Sequence, residues 1–386
     1  MRFSGRMDRI SKMLFRPLDG TVEQIMPFSD RLINRLARPI ASFLFFTGVA
    51  QKISAPDKYS WETAQALWEE ANKRGIEMYE VRIFGLPRRH FIARHENKTF
   101  AFEGIPRLPR RQKSIGWLDD KAEMNRRLRR VGFPVPSNGV ARKEKEALTV
   151  FYSLGRPVIV KPQEGSGGRH TTVGINTEKE LLAAYKNAKM ISPSVVIEEE
   201  LSGPVYRATL IEKKLVAVLR RDPPQVVGDG RSTVRELVEK ENRNPLREGP
   251  VFAEIEIDSA PAKRELARQN INPESVPKKG EVIYFHFKVN WGVGGTSRDA
   301  TPETHPENKK LFEDLGEFIG DDIVGIDFMT EDISKSWRET ERCGIIECNS
   351  LPTIGNHHFP YTGPIRNVAG AIWDMVFPKT KRRATK

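Results

Sequence analysis

The sequence predicts a mixed α/β (α+β) protein, and three observations carry that prediction. Apolar runs of strand length alternate with amphipathic helical stretches along the 386 residues. Repeats and low-complexity tracts are missing, apart from the basic tail "PKTKRRATK". The longest apolar run, "IASFLFFTGVA" from Ile40, is about half the length needed to cross a bilayer. With 38% hydrophobic and 30% charged residues the composition is globular, and the length accommodates two or three domains with cores of their own.

Taken in order, residues 1–115 read as a basic N-terminal α/β domain with 21 Lys+Arg against 12 Asp+Glu. "IASFLFFTGVA" reads as a buried core helix in preference to an interfacial one next to Arg31, Arg35 and Arg38. "ETAQALWEEANKR", closed by Gly75, is a helix, and "MYEVRIFGL" is extended. The Pro- and Arg-rich "GIPRLPRRQKS" is a connector. A helix from about Asp120 to Val131 follows, with Gly132 as its C-cap. Next come a strand into Lys161, a glycine loop, a helix from about Thr177 to Lys189 and the strand "SVVIEE". "VYRATLIEKKLVAVLRR" is two strands joined by a charged turn, and "VVGDGRSTVRELVEKEN" is a turn feeding a helix. A long extended region, a helix near Pro306 to Phe318, strands "IVGIDFM" and "CGIIECN" and a helix before Phe377 complete the chain.

The net charge of +12 suits a nucleic acid, an acidic membrane surface or anionic small molecules alike. The arginines of the N-terminal third are scattered, with no reader motif or stacking platform, so no nucleic acid is expected. Cys343 and Cys348 read as free thiols in a reducing cytosol, which places the protein in the cytoplasm.

Chemistry-bearing residues cluster in five stretches. "RPVIVKPQEGSGGR" delivers Lys161 to Gly165, Ser166, Gly167, Gly168 and Arg169. Glycine N–H groups next to a fixed ammonium can cradle phosphate oxygens; on this stretch alone a plain tight turn stands equally open. In "CGIIECN", Glu347 and Asn349 leave one face of a strand, and Asp327 sits in the apolar run "VGIDFM". A carboxylate there must be paired, hydrogen-bonded or metal-bound, and hard oxygen donors suit Mg²⁺. The acidic triplet Glu198, Glu199, Glu200 in "VIEEELSG" is either a nucleotide contact or a solvated edge. The glycines of "NWGVGGTSRD" form either a close-approach loop for a substrate or a surface loop. A Ser/His/Asp or Cys/His arrangement that would signal a covalent nucleophile is not evident.

In order, "DDKAEMNRRLRRVGFPVP", "PVIVKPQEGSGGR", "VVIEEELSGPVYR", "VAVLRRDPPQVVGDGRSTVRELVEKEN", "PKKGEVIYF", "NWGVGGTSRDAT", "VGIDFM", "IIECNSLP" and "HHFPYTGPIRNV" resemble the ATP-grasp ligases, in particular the module of cyanophycin synthetase and the bifunctional glutathione synthetases. The resemblance covers roughly residues 116–378. It implies an ATP-grasp fold whose two lobes, 116–197 and 198–378, clasp ATP between them, with 379–386 as a tail. Lys121, Lys161 and the loop from Gly165 to Arg169 are then expected at the phosphates, and Glu198 to Leu201 at the adenine. Asp327, Glu347 and Asn349 are expected to hold two Mg²⁺ ions, with Mn²⁺ as a substitute. Arg207, Arg221, Gly294, Gly295, Asp299 and His357 match positions near the substrates.

The chain departs from the family pattern in three places. "YFHFKVN" puts His286 where an arginine usually precedes the asparagine, here Asn290, with Lys288 as the nearby cation. "SGPVYR" lacks the common acidic residue, and Thr353 replaces a glycine. The sequence carries neither a glutamate–cysteine ligase module ahead nor a Mur-ligase-like module behind, and reads as stand-alone. The implied activity is ATP-dependent joining of a small-molecule acid to an amine through an acyl phosphate, in a protein expected to form homo-oligomers; the alternative is a nucleotide-binding regulatory module.

Overall fold

The computed structural model describes residues 29–87, 89–108, 115–164, 170–247 and 251–380. The expected phosphate loop, residues 165–169, and most of the basic tail lie outside the described residues. The described residues divide into two units: those of 29–60 and 71–108 form the smaller, and those of 61–70 and 115–380 the larger.

In the smaller unit β1 (Ala50–Ile53), β2 (Glu77–Ile83), β3 (His90–His95) and β4 (Lys98–Glu103) pair antiparallel in chain order. Helix Ser29–Phe46 sends Ala41, Leu44 and Phe45 into a core with Ala50, Tyr79, Val81 and Ile92. Ile40, Phe43 and Phe46 recur every third residue on another side and are 53%, 65% and 90% exposed. The expected buried core helix is therefore buried on one face only. Both cysteines are free, as expected, but only Cys348 is fully buried.

The larger unit holds two principal antiparallel sheets. In the first, β5 (Asn138–Ala141), β6 (Val158–Pro162), β7 (Thr172–Ile175) and β8 (Val195–Glu199) run in the order β5-β8-β6-β7. Val158, Val160, Val195 and Ile197 pack with Ala147 and Phe151 of helix Glu144–Ser153 and Leu181 and Ala184 of helix Glu178–Lys189. Thr177 opens the latter helix in a reciprocal capping box with Glu180, satisfying N–H groups that the first turn leaves open.

The second sheet is built from β9 (Val205–Ile211), β10 (Lys214–Asp222), β13 (Thr296–Asp299), β14 (Ile323–Met329) and β15 (Gly344–Asn349), in the order β13-β10-β9-β14-β15. Glu212 and Lys213, with φ of 48° and 66°, make the tight β9–β10 turn. One face sends Ala208, Leu210, Val324, Ile326 and Phe328 against Leu311, Phe312 and Leu315 of helix Pro306–Ile319. Each such large side chain contributes about 1.5–3 kcal/mol of burial, which fixes the sheet's inner face and leaves the alternate residues for other work.

Between β10 and β13 the chain leaves this sheet and makes a small core of its own. There β11 (Gln225–Val227) pairs with β12 (Val282–Tyr284), and helices Val234–Asn242 and Ala260–Arg268 bury Leu237, Val238, Ala262 and Leu266 against Ile255 and Phe285. Helix Ala260–Arg268 corrects the expectation of a long extended region. Ser259 caps it by accepting from Ala262 N at 3.3 Å, and Pro261 sits in the first turn, where its missing N–H costs nothing.

Gly203, between β8 and β9, has φ +94°, and a Cβ there would run into Thr330 O and the Glu331 backbone. Gly203→Ala is expected to lower the free energy of unfolding by at least ~1 kcal/mol from the left-handed backbone alone. An unchanged denaturant midpoint would contradict that close approach. Among the described residues no helix is long and apolar enough to cross a membrane.

Candidate active site

Lys161 owes its position to strand parity. Val158 and Val160 of β6 face the core, so Ile159 and Lys161 face the opposite side and line a cleft of about 210 Å³. Its other walls are Val173, Leu201, Val205, Phe287, Met329 and Ile346, with Lys121, Glu198, Glu199 and Glu347. The buried Lys161 Nζ lies 2.5 Å from Glu198 Oε1. Asp120 caps helix Lys121–Arg130, accepting from Ala122 N and Glu123 N at 3.0 Å, and its second oxygen accepts from Gln163 Nε2 at 2.8 Å. That clamp sets Lys121 beside Lys161. Burial and then the Lys161 charge hold the Lys121 ammonium below its ordinary range, a combination that favours a nearby anion.

Each carboxylate of the acidic triplet has a protein partner. Glu198 takes Lys161, Glu199 accepts from Ser137 N at 3.0 Å, and Glu200 accepts from Gly174 N at 2.7 Å. Arg342 donates its guanidinium to Glu200 O, and its own carbonyl accepts from Ser202 N at 3.0 Å. The segment is thereby braced on both sides.

The outer face of the second sheet carries a row of charge. Register places Asp299, Leu219, Arg207, Asp327 and Glu347 opposite one another on β13, β10, β9, β14 and β15. Arg207 grips Asp327 with two bonds, Nε to Oδ1 at 2.6 Å and Nη2 to Oδ2 at 2.9 Å, and Arg221 Nη1 stands 3.6 Å from Oδ2. Burial raises the Asp327 carboxyl, but Arg207 and Arg221 outweigh it and hold the group below the usual carboxylate range. Glu347 goes the other way: burial, then the Asp327 charge, push it up against Arg207, Lys121 and Lys161. Asn349 completes the set, its amide nitrogen 3.1 Å from Glu347 Oε1 and its oxygen 3.2 Å from Arg207 Nη2. Opposite it, Gly325 leaves the space that a Cβ would take from Pro352 and Arg207.

Of the remaining expected positions, Asp299 ends the row on β13 and His357 reaches Thr209 on β9. Asn290 Oδ1 accepts from Gly292 N at 2.8 Å, and Gly294 adopts φ 91°. Asp299 is held by Arg366 through Nε at 3.0 Å and Nη2 at 2.7 Å, and by Thr301 Oγ1 at 2.6 Å. His357 Nε2 meets Thr209 Oγ1 at 2.7 Å, while its buried Nδ1 meets no polar partner among the described residues. His286 and Lys288 flank the cleft-lining Phe287, and His286 Nδ1 accepts from Lys288 N at 2.9 Å. Burial, then Lys288, lowers the His286 pKa, so this ring favours its neutral form.

Comparison with known proteins identifies this assembly. Residues 120–276 match the family described as carbamoyl-phosphate synthase L chain, ATP binding domain. Cyanophycin synthetase of Nostoc sp. is 35% identical over 327 residues, which cover 82% of this chain and 35% of that protein. A crystal structure of a bifunctional glutathione synthetase from Pasteurella multocida superposes with a TM-score of 0.59 at 25% identity, covering 82% of this chain and 43% of that one. The chain carries an ATP-grasp ligase domain. The glutathione biosynthesis bifunctional protein GshAB of Clostridium perfringens is also similar, 32% identical over 224 residues, or 57% of this chain and 29% of that protein. The chain spans about a third of the length of these curated relatives.

Within the ATP-grasp domain, the donor chemistry fits a hard divalent cation. Glu347 and Asn349 leave one face of β15, and a buried carboxylate with a raised pKa gains from a cation. Asp327 stands beside them with its oxygens on guanidinium groups. Reading from spacing did not single out Gln163, Thr209, Arg366 or the bracing Arg342. The parity of β6 and β9 was a usable signal for the first two, whereas Arg342 and Arg366 lie in loops without periodicity.

His357 gives the domain a measurable pH dependence. Burial, then the charges of Arg207 and His358, lower its pKa to about 3 from an ordinary 6.5. Between those values the unfolded chain binds a proton that the folded one refuses, so this contribution is present above pH 6.5 and lost as pH falls. Relative to His357→Asn, wild type is expected to lose about 1.4 kcal/mol per pH unit below ~6.5. Parallel stability curves for the two proteins would overturn this assignment.

Proposed function

We propose that the chain joins a carboxylate to an amine at the expense of ATP, acting on amino acids or small peptides. The observation that carries this reading is one cleft presenting Lys121 and Lys161 beside Glu347, with the Arg207–Asp327 pair next to Glu347 in the sheet register. The γ-phosphoryl group passes from ATP to a carboxylate oxygen, giving ADP and an acyl phosphate. The amine then displaces phosphate and loses a proton, leaving the amide. Lys161, exchanging Glu198 for a phosphate oxygen, and Lys121 stabilise charge on the transferring group by prepositioned electrostatics. The apolar walls take the base. Mg²⁺ held by Glu347 and Asn349, with Asp327 alongside, supplies further positive charge at the phosphates when bound.

The test is ADP release with Mg²⁺-ATP and pooled amino acids and dipeptides, read together with product mass. A mass equal to acid plus amine minus water, formed only with both present, supports the ligase. ATP binding with no ADP from any pool favours the regulatory module instead, the reading to which a neutral His286 in place of arginine belongs.

A further inference from the structure

The Gly294–Gly295 peptide is held at both of its polar ends. Gly295 N donates to Asn290 O at 3.0 Å, and Gly294 O accepts from Arg247 Nη2 at 3.0 Å. Arg247 follows helix Val234–Asn242, is only 5% exposed, and uses its other donors on Glu241 Oε1 at 2.9 Å and Ala253 O at 3.1 Å. Its guanidinium also lies 5.3 Å from the centre of the Tyr361 ring. The Tyr361 hydroxyl in turn donates to Glu241 Oε1 at 2.7 Å and accepts from Asn244 Nδ2 at 2.8 Å. A closed network thus fixes one guanidinium in three directions.

We propose that Arg247 is the positioning residue that sets the Gly294–Gly295 peptide for the acid and amine substrates, without touching them or the nucleotide. The inference rests on the ligase reading above. Gly294 needs its φ of 91°, and a Cβ at Gly295 would press on Asn290 O at 2.8 Å and Asp222 O at 2.9 Å. A backbone that close to its neighbours has few alternatives, and the choice among them falls to whatever holds its carbonyl. Arg247 does so with a planar fork whose other tines are anchored, a geometry that a lysine cannot copy. The nucleotide cleft is walled by other residues, so ATP affinity and substrate use separate.

The experiment compares full-length wild type, Arg247→Lys, Arg247→Gln and Arg247→Ala. Affinity for a non-hydrolysable ATP analogue is expected to stay within a factor of about two, whereas kcat/KM for the acid–amine pair found by the product assay falls roughly 10²-fold, the scale of an ångström-level misplacement. Arg247→Lys is expected to recover little, and millimolar guanidinium to restore activity to Arg247→Ala. Near-wild-type kcat/KM in Arg247→Gln overturns the proposal, as does a loss shared by analogue binding and not rescued by guanidinium, which marks a merely structural arginine. Hydrogen exchange at residues 290–297 gives a second readout, with Gly295 expected to exchange at least about tenfold faster in Arg247→Gln while the sheet stays protected. If wild type makes no product from any pool, it is the ligase reading that fails, and unchanged Gly295 exchange then overturns the tether on its own.

Discussion

Glu347→Ala is expected to abolish ADP release while leaving the protein at least as stable as wild type. The carboxyl is raised by burial and by Asp327, so the folded state is favoured while Glu347 keeps its proton and loses that advantage as pH rises through the raised value. At neutral pH the native protein therefore holds this group against its own stability. Removing it relieves that cost, and Glu347→Gln, which keeps the shape, relieves it as well. Turnover moves oppositely, because the cleft loses its anionic oxygen donor facing Lys121 and Lys161; a fall of at least 10²–10³-fold is the scale for deleting one preorganised electrostatic group. Activity and thermal unfolding measured on the same samples decide it. A variant that is both active and destabilised would turn Glu347 into a packing residue.

Arg207→Ala is expected to cost about 3–5 kcal/mol of stability, the scale for removing one partner of a buried ion pair. Arg207 and Asp327 are 7% and 5% exposed, and among the described residues Arg221 at 3.6 Å is left as the only other guanidinium beside the stranded carboxylate. The double variant Arg207→Met with Asp327→Leu is expected to recover most of the loss, since two apolar side chains leave no charge behind. Chemical denaturation of the three proteins measures this. If the double variant were as unstable as the single one, the loss would lie in packing and not in the orphaned charge.

Much of this was legible in the chain before any coordinates. The apolar run into Lys161 gave β6, and the two-residue spacing of Glu347 and Asn349 placed both on one face of β15. Helix Lys121–Arg130 was readable from Asp120 and Gly132 at its ends. The Arg207–Asp327 pair was not, because its partners are 120 residues apart and only strand register brings them together. Spacing likewise could not show the protein partners of Glu198, Glu199 and Glu200, because Lys161, Ser137 and Gly174 lie 37, 62 and 26 residues away from them. Helix Ala260–Arg268 was hidden by Pro261, a residue that reads as a breaker until Ser259 is seen to cap the turn in front of it.

The β9–β14 pairing has a consequence for how this domain tolerates length changes. Ala208 and Leu210 build the core from the same seven-residue strand on which Arg207 and Thr209 build the site. Inserting or deleting one residue within β9 would exchange the two sets, sending guanidinium inward and leucine outward. Fold and chemistry would fail together, so no lineage could pass through a stably folded but inactive frame of that strand. The Glu212–Lys213 turn beyond its end belongs to neither set, and it is there that insertions can accumulate.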